Sequence, residues 1–159
     1  MGTFSKTFAS LGGFVVGEER VINFIKHTSP ALIFSASPTP ASVAAALAAL
    51  DILEAEPHRV DKLISNANKM RKGFKELGFK IIENQTAIVP VIVGDDLLAF
   101  QMWRALYDAG VFVNAFISPG VPQGMQMMRT SYMAAHEDVH LNKILEIFGD
   151  VGKKLGVIN

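Results

Sequence analysis

Gly2-Thr3-Phe4-Ser5-Lys6 opens a Gly- and Ser-rich turn that runs through Ser10 and Leu11 into Gly12-Gly13-Phe14-Val15-Val16-Gly17. Three apolar residues between glycines, Phe14 to Val16, predict a short buried strand. Strand backbone groups need partners. The residues before Phe14 show no strand pattern, so the chain reads as if it starts in the middle of a sheet. Lys6 lies in the turn itself, with the hydroxyl residues Thr3 and Ser5 beside it.

That grouping suits one kind of chemistry. A lysine amine adds to an aldehyde to form a Schiff base, and pyridoxal 5'-phosphate (PLP) offers such an aldehyde. PLP also carries a phosphate, which is held by hydroxyls and backbone N–H groups in tight turns. The plain alternative is a surface lysine in a flexible loop, because short motifs match by chance.

Working outward, Glu18 to His27 predicts a short helix with Val21, Phe24 and Ile25 on one face. Leu32-Ile33-Phe34-Ser35-Ala36-Ser37 reads as an extended run with a small polar tail. Thr39-Pro40 then starts a helix, since Thr caps well and Pro suits the first helical position. It stops at about Glu56, before Pro57. Val60, Leu63, Ala67, Met70, Phe74 and Leu77 recur at steps of three and four, which puts them on one helical face ending at Gly78. Strands are expected at Phe79 to Ile82 and Ala87 to Val93, the second at an edge or bulge because Pro90 lacks an N–H. Asp95 or Asp96 caps a helix that ends at Gly110. Val111 to Asn114 and Met125 to Ser131 read as further strands around the loop Ile117 to Gly124. A last helix turns Leu141, Ile144, Leu145, Phe148, Val151 and Leu155 inward.

From about residue 57 onward the pattern is helices packed on a small sheet, an α+β arrangement. The expected division is residues 1–39 with the lysine turn, a connecting helix at 40–56, and a compact α+β unit at 57–159.

Composition excludes several classes. The 159 residues are half hydrophobic and carry 15 basic against 15 acidic side chains. Such a chain can build a core and is not disordered. A balanced charge gives no sign of a nucleic-acid partner, which would call for clustered Lys and Arg. There are no cysteines, so disulfides and thiolate metal sites are excluded, and a cytoplasmic location fits. No signal peptide is evident, and the Ala-rich stretch Ala41 to Leu50 is too short to be a transmembrane segment. His27, His58 and His140 have no metal-ligand spacing. His136 reads as a local cap or an exposed residue, Trp103 as core or half-buried, and Met127-Met128 as strand packing.

Arg129 follows the Gly/Pro loop in an apolar strand. Its guanidinium can clamp a carboxylate with two hydrogen bonds, or form a surface ion pair at a strand end. Ser35 and Ser37 can serve as caps for the helix that follows.

Taken in order, these segments resemble the α-oxoamine synthase family of fold-type-I PLP enzymes. Gly2-Thr3-Phe4-Ser5-Lys6 followed by Gly12-Gly13-Phe14 is similar to the family's lysine motif. Leu32 to Ser37 before a Pro-containing helix start resembles its next block. Pro90-Val91-Ile92-Val93-Gly94-Asp95 resembles a further strand. Pro119 to Gly124 with Met128-Arg129-Thr130-Ser131 and Ala135-His136 resembles its last block. The lysine motif and the closing Gly152-Lys153-Lys154-Leu155-Gly156-Val157 are most similar to the bacterial serine palmitoyltransferases in that family.

The resemblance implies the C-terminal small domain of a PLP-dependent transferase plus an edge of its large α/β domain. The implied reaction joins an amino acid, serine first, to an acyl-CoA with loss of carbon dioxide, as in sphingolipid biosynthesis. 8-Amino-7-oxononanoate synthase and 2-amino-3-ketobutyrate CoA ligase are the alternatives within the family. Lys6 would hold PLP and move the substrate α-proton. Thr3, with help from Ser5, would bind the phosphate. Ser35 and Ser37 would reach the phosphate in the partner subunit's site, which implies a homodimer. Arg129 would meet the substrate carboxylate. Some serine palmitoyltransferases carry a second arginine where Ile117 stands, so the amino-acid assignment stays open. Family members place other cofactor contacts ahead of the lysine, including an Asp for the pyridine nitrogen. The implied piece lacks them. It would bind PLP weakly and be inactive alone, acting at most as a dimerising structural domain.

Overall fold

The computed structural model describes residues 1–159. The chain divides into two compact units, Met1–Pro57 and His58–Asn159.

The first unit begins with a two-stranded antiparallel ribbon, β1 (Gly2–Thr3) and β2 (Gly13–Phe14), in which Gly2 faces Phe14 and Thr3 faces Gly13. Residues 2 and 3 therefore supply the partner that the sequence seemed to lack. The expected buried strand is also corrected, because Phe14, Val15 and Val16 are all exposed. Helix α1 is Glu19–Thr28 and helix α2 is Pro30–Ile33. The residues half-buried on α1 are Ile22 and Ile25, whereas Val21 and Phe24 are exposed. The extended reading of Leu32 to Ser37 fails at its start. Pro30 takes the first position of α2, where its missing N–H costs nothing, and the helix runs to Ile33. Helix α3 spans Pro40–Ala55, and the Thr39 side chain accepts a hydrogen bond from the Ser42 N–H. Its apolar residues are spread around the helix rather than along one stripe, with the exposed Asp51 and Glu54 near its end, yet none of its residues is buried.

The second unit holds the core. Helix α4 (His58–Glu76) is followed by β3 (Ile88–Ile92), α5 (Asp96–Asp108), β4 (Asn114–Phe116), β5 (Met127–Ser131) and α6 (Asp138–Lys154). The three strands form an antiparallel sheet in the order β3-β5-β4. Strand alternation sets its two faces. Val89, Val91, Met128 and Thr130 are buried, while Ile88, Pro90, Ile92 and Arg129 are at least partly exposed. On α4 the buried residues include Ala67, Met70 and Phe74, in agreement with the periodicity, and Val60 stays exposed. Phe74, Phe79 and Phe148 form an aromatic triangle with ring centroids 4.9 to 6.0 Å apart. Burial of each ring contributes about 2–3 kcal/mol. Gly73 lets α6 approach α4, since a Cβ there would lie 2.5 Å from Leu145 Cδ1.

Pro90 sits where its missing donor is harmless. The carbonyl of Pro90 accepts from the Ile82 N–H, and the Ile92 N–H donates to the Lys80 carbonyl. Residues 90 and 92 thus turn their polar groups away from β5, toward the segment 80–82. That segment makes a single bridge, Ile81 to Val91, and not the full strand expected at 79–82. The strand expected at 111–114 starts later, at Asn114, because Val111 and Val113 are spent as core residues after α5. Asp95 caps α5 by accepting from the Leu98 N–H at 2.9 Å.

Buried polar groups tie the loops to this core. The Asn66 amide donates to the Met133 and His136 carbonyls, both at 3.0 Å. The Arg71 guanidinium donates to Asn68, Asn84 and the Thr86 carbonyl. The Tyr132 hydroxyl is buried with no hydrogen bond of normal length, and burial raises its pKa against the opposing influence of the nearby Thr130 side chain and Arg71 charge.

Candidate active site

In the first unit, short bonds fold the turn around Lys6. The Phe4 N–H donates to the Gly12 carbonyl at 2.9 Å, the Ser10 N–H to the Phe4 carbonyl at 2.8 Å, and the Ala9 N–H to the Lys6 carbonyl at 3.0 Å. Ala9 takes a left-handed φ of 48° to close the loop. The ring of Phe4 packs against Phe8 and Phe14, with centroids 5.4 and 5.5 Å away. Gly13 has to be glycine, since a Cβ there would meet the Gly2 carbonyl oxygen at 2.4 Å. The Lys6 side chain is exposed.

Thr3 and Ser5 come together, with their hydroxyl oxygens 2.8 Å apart. The Thr3 hydroxyl also donates to the Gly12 carbonyl at 3.3 Å and accepts from the Ser5 N–H at 3.3 Å. Beside the turn lies an open cavity of about 740 Å³, walled by Thr3, Gly12, Gly13, Lys26, Ser29 and Ser35 among others. Ser35 reaches this wall, and its hydroxyl donates to the Leu32 carbonyl at 3.0 Å. Ser37 is exposed and does not join it. Neither serine caps α3, a task that falls to Thr39. Nothing local in the sequence singles out Lys26 and Ser29, because a lysine in the last turn of α1 looks like any solvated helix end. Two adjacent hydroxyls, a glycine-tight backbone and a free amine fit a phosphorylated aldehyde. Thr3 and Ser5 could hold its phosphate and Lys6 its carbonyl carbon.

In the second unit, Arg129 occupies the central strand β5, in register with Pro90 on β3 and Asn114 on β4. Its Nη2 donates to Asn114 Oδ1 at 3.3 Å, and its Cζ lies 4.8 Å from the centroid of the Phe116 ring. Its Nε is shielded and has no acceptor. No carboxylate pairs with it, so the ion pair weighed from sequence does not form. A half-buried cation without a counter-charge is poised for an anion from outside. Next to it, the loop 117–124 is held by Gln126, whose Oε1 accepts from the Gly124 N–H at 2.9 Å and whose Nε2 donates to Ser118 Oγ at 3.3 Å.

His136 serves locally, accepting from the Met133 N–H at its Nδ1. Helix α6 begins after it, and His140 Nδ1 accepts from the Glu137 N–H at 3.1 Å.

Comparison with known proteins identifies the group. Residues 1–148 match the family described as aminotransferase class I and II. The chain belongs to that family. Within it, the chain is 42% identical over its whole length to the serine palmitoyltransferase of Bacteriovorax stolpii, covering 38% of that protein. It is 39% identical over 99% of its length to the 8-amino-7-oxononanoate synthase of Symbiobacterium thermophilum, covering 40%. These are α-oxoamine synthases, and this aminotransferase-family chain is one of the same group. The solved serine palmitoyltransferase of Sphingomonas wittichii superimposes with a TM-score of 0.90 at 32% identity, over 99% of this chain and 40% of that one. A structure of SPT with its PLP internal aldimine matches equally well, at 34% identity. The chain thus spans about 40% of the length of the relatives it matches. The α+β architecture is that of a fold-type-I aminotransferase, and no helix is long and apolar enough to cross a membrane.

Proposed function

We propose that the protein carrying this chain is a PLP-dependent acyltransferase that condenses an amino acid, serine in the first reading, with an acyl-CoA. A carbon–carbon bond forms between the amino-acid Cα and the thioester carbonyl. The carboxylate leaves as carbon dioxide and a proton returns to Cα, while CoA leaves as the thiolate and takes up a proton. The observation that carries this reading is the Lys6 turn, in which an exposed amine follows two hydroxyls 2.8 Å apart in a glycine-closed ribbon.

Each residue then has a task. PLP, when bound, withdraws electrons from the substrate Cα and stabilises the carbanion. Lys6 Nζ would hold the cofactor at its aldehyde carbon and, once free, would carry the substrate α-proton. Thr3 and Ser5 would donate to the phosphate, Thr3 giving up its bond to the Gly12 carbonyl to do so, and Ser35 and Ser37 would reach the phosphate of the partner's site in a homodimer. Arg129 holds the substrate carboxylate. The exposed apolar residues of α3, Val43, Leu47, Leu50 and Ile52, support an assembly in which that helix is covered. A cytoplasmic location fits the same reading.

A second reading keeps the reaction and changes the amino acid. It is favoured by the nearly equal identity to an 8-amino-7-oxononanoate synthase and by Ile117, which stands where some serine palmitoyltransferases have arginine. The isolated 159-residue chain is read as a folded but inactive domain with weak cofactor affinity.

The test measures CoA release from serine and palmitoyl-CoA, with and without PLP. A protein carrying the chain is expected to release CoA only with PLP, and Lys6→Ala to abolish release. The chain by itself is expected to release none. Full activity of the Lys6→Ala variant would overturn the assignment.

A further inference from the structure

The guanidinium of Arg129 is fixed by two neutral side chains from one strand. Asn114 and Phe116 stand at alternate positions of β4, and Asn114 is in register with Arg129 on β5. One accepts from Nη2 at 3.3 Å, and the other lies under Cζ at 4.8 Å. Nε is shielded and unpartnered. A flexible arginine loses several rotamers when it binds an anion, and holding it beforehand removes part of that cost.

The neutrality of both partners matters. An aspartate at 114 would take the fork bidentately and cancel its charge. Asparagine accepts a single hydrogen bond and leaves the charge free. The aromatic ring covers one face of the guanidinium plane, so an anion meets the edge that carries the Nη donors. Pro90, in register on the other side, has no side-chain donor or acceptor to compete.

We infer that Asn114 and Phe116 are positioning residues for Arg129, presenting the edge of its guanidinium, uncompensated, to a carboxylate. This rests on the reading of Arg129 as the carboxylate-binding group. The assignment of the two neighbours is independent of which amino acid is bound.

The experiment follows the Arg129 Nε–Hε resonance in the full 159-residue chain, assigned by its loss in Arg129→Gln. Without ligand, the Phe116 ring is expected to displace this resonance, and Phe116→Leu to return it toward the free-arginine position. N-acetyl-L-serine is then titrated in; it presents a carboxylate with no competing ammonium. The probe is expected to move the wild-type resonance. Phe116→Leu is expected to weaken binding about threefold to tenfold, the range of one cation–π contact. Asn114→Asp keeps the size and the acceptor, so a merely structural role would tolerate it. Here it is expected to abolish binding while the backbone amide spectrum stays unchanged. Wild-type affinity in both variants would overturn the inference and leave Arg129's own role standing. No movement of the wild-type resonance with the probe would overturn the reading of Arg129, and the inference with it.

Discussion

The hydroxyls of Thr3 and Ser5 are hydrogen-bonded at 2.8 Å, two residues apart, immediately before Lys6. Thr3 is the better anchored, since it also reaches the Gly12 carbonyl across the ribbon. The two hydroxyls are therefore not equivalent as phosphate donors. Thr3→Val removes a donor and the link to Gly12 while keeping the shape. It should weaken PLP binding by about tenfold or more in a protein carrying the chain, the range of one hydrogen bond to a charged group. Ser5→Ala should weaken it less. Titration of PLP by absorbance gives both constants, and equal effects would deny Thr3 its special place.

Stability should be concentrated in the second unit. Phe74 is fully buried against Phe79 and Phe148. Phe74→Ala should cost about 3–5 kcal/mol in urea unfolding. Leu47 on α3 is 59% exposed, and Leu47→Ala should change stability by less than about 0.5 kcal/mol in the isolated chain. Hydrogen exchange should agree, with slow amides at Val89, Val91 and Met128 and fast ones along α3 and at Phe14 to Val16. Strong protection of α3 in a monomer would contradict this division.

The start of α6 should respond to mild acid. Burial, followed by the nearby charge of His140, lowers the pKa of His136 below the ordinary histidine value. Its Nδ1 accepts from the Met133 N–H, which only the neutral ring can do. The folded state thus binds a proton less readily than the unfolded one. The stabilisation is present above about pH 6.5 and is lost as the pH falls below it toward the folded pKa. His136→Asn, with an amide oxygen for Nδ1, should flatten the slope between about pH 7 and 5. The Lys69 ammonium, by hydrogen bond and by charge, lowers the pKa of the exposed Asp138. That contribution fades in a separate, more acidic window, below the ordinary carboxylate pKa. An unchanged slope in His136→Asn would remove His136 as the cause.

Much of the second unit was legible because its signals are local. The three- and four-residue steps on α4, the Asp95 cap and the misfit of Pro90 in a central strand each depend on a few neighbours. The same holds for Thr39-Pro40 in the first unit. The misreadings come where tertiary partners decide. Phe14 to Val16 looked like core from hydrophobicity, yet the ribbon needs only the backbone of Gly2–Thr3. Leu32 to Ser37 looked extended because its residues suit strands, whereas Pro30 had already started a helical turn. In the site, Lys6, Thr3 and Ser5 are visible as a contiguous motif. Lys26 and Ser29 are not, because only the fold of α1 beside the ribbon puts them on the cavity wall. Asn114 and Phe116 also depend on strand register, which no local spacing announces.

The central claim is that Lys6 is the cofactor lysine. PLP added to a protein carrying the chain, reduced with borohydride and mapped by mass spectrometry after digestion tests it directly, with the other lysines as internal controls. Selective labelling of Lys6 is the expected result, lost in Lys6→Ala and weakened in Thr3→Val. Labelling spread evenly over the surface lysines, or centred on Lys26, would contradict it.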